Sequence, residues 1–116
     1  MGVALGLPRS VQLSGAMTDV FSALADPTRR SIFERLVGGG PTTATEIGLE
    51  VGVSRQAVAK HLAILEAASL VEGTRSGRET NFVPVLDDLD HITAWTARMK
   101  SDWGGRMDVL KKIVDG

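Results

Sequence analysis

A chain of 116 residues is enough for one domain, and with 43% of them hydrophobic a core can form. A domain this short buries a core only marginally by itself, so dimerisation, which adds buried surface, is expected. The formal net charge of −1 excludes a polycation that coats nucleic acid by charge alone, but it leaves room for a local basic face. The absence of cysteine excludes disulfides, thiolate metal sites and thiol redox switches together.

Residues 1–16 are rich in glycine and small side chains and read as a flexible N-terminal arm before a domain over 17–116. The other reading is that Met17 is the natural start. The segment has no charged start and no long apolar run, so it makes a poor signal peptide. Gly6 stands where a myristoylation signal needs Ser or Thr. No stretch approaches the length of a membrane span. The expectation is a soluble cytoplasmic protein without a membrane partner.

Thr18 to Ala25 carries Val20, Phe21 and Leu24 at helical spacing. Asp26-Pro27 then opens a second helix, with Asp as N-cap and Pro in the first turn. Ile32, Phe33, Leu36 and Val37 form its apolar face, and Gly38-Gly39-Gly40-Pro41 ends it. Thr43 and Glu46 have capping-box spacing and open a short helix with Ile47, Leu49 and Val51, which Gly52 breaks. Ser54 caps a longer helix ending near Ala68, with Val53 and Val58 spaced as a hydrophobic staple and Val58, Leu62 and Leu65 facing inward. Leu70–Thr74 and Asn81–Val85 read as strands joined by the turn Ser76-Gly77-Arg78. Asp87 or Asp88 caps the last helix, where Leu89, Ile92, Trp95, Met99, Trp103, Met107 and Leu110 form an apolar stripe. Gly104-Gly105 interrupts it, and each glycine costs roughly 1 kcal/mol against alanine, so a weak point or kink is expected there. The fold class is mainly α with a small β-hairpin, in the order α-α-α-α-β-β-α.

Two helices joined by the tight turn at Gly52-Val53 make a helix-turn-helix. The second helix begins Ser54-Arg55-Gln56-Ala57-Val58-Ala59-Lys60-His61-Leu62. With Val58 and Leu62 inward, Ser54, Arg55, Gln56, Ala59 and Lys60 face outward near its N-terminus. Arg suits guanine, Gln suits adenine, and small Ser or Ala lets a helix approach the major groove closely. Lys60 suits a phosphate, as does the helix N-terminus itself. Arg75 and Arg78 flank the hairpin tip and can reach a minor groove or backbone. With Thr43, Thr45 and His61, these residues form the candidate set for contact with double-stranded DNA. A solvated helix face is the plain alternative. Ser54 to Phe82 holds four basic and three acidic side chains, so the reading requires Glu66, Glu72 and Glu79 to lie away from the DNA.

Ala23-Leu24-Ala25-Asp26-Pro27-Thr28-Arg29-Arg30, the run Ser54 to Leu62, Leu65 through Leu70-Val71, and Gly77-Arg78-Glu79 together resemble the ArsR-type winged helix-turn-helix repressors. The resemblance covers about Met17 to Val114. It implies a homodimer built from the first and last helices, with Val20, Phe21 and Leu24 joining Leu89, Ile92, Trp95, Met99, Trp103, Met107 and Leu110 at the interface. It implies two recognition helices reading a palindromic operator, and repression released by a signal. Metal-sensing members carry cysteines on the helix before the turn. Here that position reads Thr43-Ala44-Thr45-Glu46-Ile47-Gly48, which places the chain with the subgroup lacking that motif. Asp88 and His91 alone do not complete the Asp and His pairs that other members use on the last helix, so no metal or cofactor is expected. An effector of unidentified small-molecule chemistry is left open.

Several residues keep two readings. His61 contacts phosphate or packs between helices. Trp95 and Trp103 form dimer core or line an effector pocket. Arg29 and Arg30 meet phosphate, or one of them pairs with an acid such as Glu34. Gly38-Gly39-Gly40 lacks the Lys-Ser/Thr of a phosphate loop and reads as an inter-helix loop. The alternatives to a DNA-binding repressor are a winged-helix protein-interaction module without specific DNA binding, and a small-molecule- or zinc-responsive sensor. No nucleophile with a base, carboxylate pair in a cleft motif or cofactor fingerprint supports an enzyme.

Overall fold

The computed structural model describes residues 9–115, and the side chains of residues 15–115. The elements run α1 (Arg9–Ala25), α2 (Pro27–Gly39), α3 (Ala44–Val51), α4 (Arg55–Ala67), β1 (Val71–Ser76), β2 (Glu79–Pro84) and α5 (Asp87–Asp115). This is the expected order, a winged helix-turn-helix.

Local chemistry sets three of the helix starts. Asp26 caps α2 by accepting from the Arg29 N–H at 3.0 Å, with Pro27 in the first turn. Thr43 Oγ1 accepts from the Glu46 N–H at 3.2 Å and caps α3, and Ser54 Oγ accepts from the Ala57 N–H at 3.1 Å and caps α4. The Glu46 carboxylate does not return to the cap backbone. It accepts from Thr42 Oγ1 at 2.6 Å instead. The end of α4 is closed by a pair of bonds, Ser69 N–H to Glu66 O and Leu70 N–H to Leu65 O, with Ser69 at φ 61° and Leu65 packed beside Leu70 in the core.

Four expectations are corrected. The first helix begins at Arg9 rather than Thr18, so it enters the segment read as an arm; residues 1–8 lie outside the described residues. Leu49 is 81% exposed and Val37 half exposed, because α3 turns Ile47 and Gly48 to the core and α2 turns Ile32, Phe33 and Leu36, which leaves Val37 at the edge of that face. Asp87 and Asp88 lie in the first turn of α5 rather than at its cap, where carboxylates meet the positive end of the helix dipole. And α5 remains helical through Gly104-Gly105 for all its 29 residues, a length of about 43 Å at roughly 1.5 Å per residue.

The core gathers Val20 and Ala23 of α1, Ile32, Phe33 and Leu36 of α2, Ile47 of α3, Val58, Leu62 and Leu65 of α4, and Leu70 and Val71 leading into the hairpin. The hairpin pairs antiparallel from Val71 with Pro84 to Ser76 with Glu79, leaving Gly77 and Arg78 as a two-residue turn. Gly77 has φ 63°, which suits the first central position of a type II′ turn. Thr42 adds a bridge to Phe82 through N–H to O contacts of 3.3 and 2.8 Å, fastening the entrance of α3 to β2. The sequence carried no signal for this third strand position, since one isolated residue has no periodicity.

Candidate nucleic-acid interface

The turn between α3 and α4 is built by close approach. Gly52 takes φ 81° at the end of α3, and its N–H donates to Gly48 O at 2.9 Å. Gly48 is buried, and a Cβ there would sit 2.8 Å from the Val53 carbonyl oxygen. Glycine at 48 thus lets the turn fold back onto α3, a role its place in the sequence did not reveal. Val58, Leu62 and Leu65 fasten α4 to the core, which leaves Ser54, Arg55, Gln56, Ala59 and Lys60 exposed on its other side.

Between α4, the start of α3 and the hairpin lies a groove of about 280 Å³. Arg55, Ala59, Leu62, Ala63 and Glu66 line one wall, at the spacing of one helix face. Arg75, Arg78, Glu79, Thr80 and Phe82 line the other, and Thr43, Ala44 and Thr45 close the end. Gly73 makes room for this hairpin face, since a Cβ there would meet the Phe82 ring at 2.9 Å. Arg55, Arg75, Arg78 and Thr45 are therefore brought together from three separate elements. Gln56 and Lys60 lie outside the groove lining, on the neighbouring strip of α4. Thr43 is buried and its hydroxyl is engaged in capping, so its side chain offers little to a ligand. Of the three acids required to lie away, Glu66 lines the groove; the register puts the side chains of Glu72 and Glu79 on the hairpin face opposite Arg75, Thr80 and Phe82, with Glu79 bordering the groove at the hairpin tip.

His61 is half buried, with Nδ1 at 3.4 Å from Arg29 Nη1. A guanidinium only donates, so the imidazole nitrogen accepts. The Arg29 Nε donates to Ala23 O at 2.6 Å, and Arg30 Nη1 donates to Leu24 O at 2.7 Å. Both arginines thus hold the last carbonyls of α1, and among the described residues the ion pair that forms is Arg35 with Glu50, not one with Glu34. Arg35 donating to Glu50 holds that carboxyl below its ordinary range, and the Arg29 backbone N–H does the same for Asp26.

The expected interface residues divide. Val20 is fully buried in its own protomer as part of the core cluster, and it has no surface left for a partner. Leu24, Leu89 and Ile92 are half buried and pack against that core. Phe21 and Trp95 meet edge to face with ring centroids 6.2 Å apart, which seats α5 on α1. Phe21, Trp95, Met99, Trp103, Met107 and Leu110 all remain exposed, Trp103 by 62%. No described helix is long and apolar enough to cross a membrane.

A recognition helix, a tight turn and a basic-tipped hairpin on one small core define a winged helix-turn-helix DNA-binding protein. The sequence matches the family model "Helix-turn-helix domain" over residues 24–74. It is 39% identical over 62 residues to the transcriptional repressor SdpR of Bacillus subtilis, covering 53% of this chain and 68% of that protein. The fold superposes on an ArsR-like transcriptional regulator from Rhodococcus sp. RHA1 with TM-score 0.76 and 34% identity, over 86% of this chain and 93% of that one. It also matches the homodimeric winged helix-turn-helix domain Mb0332 from Mycobacterium bovis, with TM-score 0.65 and 22% identity over 83% and 88% of the two chains, a likeness of fold. The chain belongs to the ArsR-type winged helix-turn-helix transcriptional regulators.

Proposed function

We propose that this regulator is a repressor that binds a palindromic operator as a homodimer, with α4 in the major groove and the hairpin against the neighbouring backbone. The observation that carries the reading is the exposed Ser54–Lys60 face, standing across a groove from Arg75 and Arg78 on a rigid support. Arg55 lines the groove beside the hairpin arginines, which favours a phosphate partner for it, while Gln56 and Lys60 hold the strip nearest the base edges. The relative named as a repressor supports the direction of control, and the homodimeric neighbour supports the assembly. The exposed stripe from Trp95 to Leu110, continuous with Phe21, supplies the apolar surface that such a dimer would cover.

The reading is tested by titrating the full chain against duplex DNA at several salt concentrations. A saturable complex whose affinity falls linearly on a log–log salt plot is expected. Gln56→Ala relaxes base preference, and Arg78→Ala weakens binding to all duplexes alike. A chain that forms no saturable complex with any duplex overturns it.

A further inference from the structure

At the base of the hairpin that carries Arg75 and Arg78, the Val85 N–H donates to Leu70 O at 2.8 Å. Further out, the Phe82 N–H donates to Thr42 O at 2.8 Å, and the Phe82 carbonyl accepts from the Thr42 N–H at 3.3 Å. Thr42 is itself fixed, being 2% exposed with its hydroxyl donating to Glu46 Oε2 at 2.6 Å. On its other side Phe82 pairs with Gly73, and its ring lies against that glycine. A Cβ at Gly73 would stand 2.9 Å from ring atom Cε1 and 3.0 Å from Thr80 Cγ2. Phe82 also packs against the core cluster. From this point to the tip, no hydrogen bond among the described residues joins the hairpin to the rest of the fold, and Thr74 through Glu79 are exposed.

We propose that Phe82 is the positioning residue of the hairpin: pinned by Thr42 and laid against Gly73, it sets where Arg75 and Arg78 stand relative to α4. This rests on the DNA-binding reading above. Four residues of β2 and the turn separate Phe82 from Arg78, a lever of about 13 Å at roughly 3.3 Å per residue. A swing of about 10° at the pin carries the tip about 2 Å, taken over that lever. A charge-assisted bond to a phosphate holds near 2.7–2.9 Å and does not survive such a shift. Phe82 thus acts on DNA through the arginines rather than by touching it. The Gln56 and Lys60 strip is carried by α4, which the core holds separately through Val58, Leu62 and Leu65. Displacing the pin therefore removes phosphate contacts and leaves base preference as it was.

The test disturbs the pin in two ways in the full chain. Phe82→Leu keeps an apolar side chain against the core and removes the ring, while Gly73→Ala keeps the ring and pushes it aside. Each is combined with Arg78→Ala and titrated against a selected operator duplex and an unrelated duplex, with thermal midpoints to check the fold. Each pin variant should bind both duplexes about tenfold more weakly, the scale of one lost charged hydrogen bond. The log–log salt slope should fall by about one unit, with the operator-to-unrelated ratio constant. A loss of folded chain alone lowers the active fraction without moving that slope. Arg78→Ala should add little in either pin variant, since its contact is already gone. An unchanged slope in both variants overturns the proposal. So does a full additional loss from Arg78→Ala, which would mean that the ring touches DNA itself or only supports the fold. If the unsubstituted chain binds neither duplex, the DNA-binding reading fails, a result distinct from either of these.

Discussion

Arg29 reaches from the first turn of α2 to His61 in the middle of α4, placing Nη1 3.4 Å from the imidazole Nδ1. The same guanidinium donates to Ala23 O at 2.6 Å, so one side chain joins the end of α1 to the recognition helix. Because α1 packs on α5, this link runs from the proposed dimer surface to the proposed DNA surface. Arg29→Ala should destabilise the fold by about 1–2 kcal/mol, the scale of a part-buried bond from a charged donor, as read by urea denaturation. His61→Gln keeps an acceptor and should retain most of the stability. A direct phosphate contact through His61 would instead show as lost DNA affinity in His61→Gln with stability unchanged.

Gly48 and Gly104 should respond to alanine in opposite directions. At Gly48 the added carbon meets the Val53 carbonyl at 2.8 Å, and backbone cannot easily give way. Gly48→Ala should cost about 1–3 kcal/mol despite alanine's better helix propensity. At Gly104 nothing lies within 4 Å of the added carbon, and Gly104→Ala should stabilise by about 1 kcal/mol. Paired denaturation curves check both signs.

Ser69 holds φ 61° to close α4, a conformation that disfavours a Cβ. Ser69→Gly should raise stability by about 0.5–1 kcal/mol, the relief of strain outweighing the extra freedom of the unfolded chain. A lower melting midpoint would show that the serine side chain supports the turn in another way.

The Asp26 cap predicts a pH window. The Arg29 N–H bond holds its folded pKa below the ordinary carboxylate value, so its stabilisation is fully present above that ordinary value. It is lost as pH falls through the folded pKa, because the protonated acid is a poorer acceptor. Asp26→Ala should lower stability at neutral pH and flatten its decline on acidification. Unfolding midpoints measured from neutral pH into the acid range compare the two curves.

What could be read from the sequence divides along physical lines. The starts of α2, α3 and α4 were legible because Asp26, Thr43 and Ser54 act within three residues of themselves. Val58, Leu62 and Leu65 were legible because helical periodicity alone selects them. Val20 was not assignable, since an apolar residue on an amphipathic helix faces either its own core or a partner's, and only the packing of α1 decides. The sharing of one groove by Arg55 and the hairpin arginines was equally hidden. It depends on how the hairpin lies against α4, and that is fixed partly by the Thr42 bridge to Phe82.

The stripe on α5 makes its own prediction. Trp103 is exposed and lies away from the protomer core, so Trp103→Glu should leave the protomer folded and shift the chain to monomer in sedimentation. It should also weaken operator binding, because two linked half-sites become one. Leu49→Glu, at a still more exposed position on α3, should leave the oligomeric state unchanged.

The central claim, that a symmetric pair of α4 helices reads DNA, is tested most directly by selecting bound duplexes from a random-sequence pool with the full chain. The account predicts an enriched two-fold symmetric consensus, with half-site centres about 10 base pairs, or roughly 34–36 Å, apart or a multiple of that. A pool that shows no enrichment, or enriches a single asymmetric site bound by one chain, would contradict it.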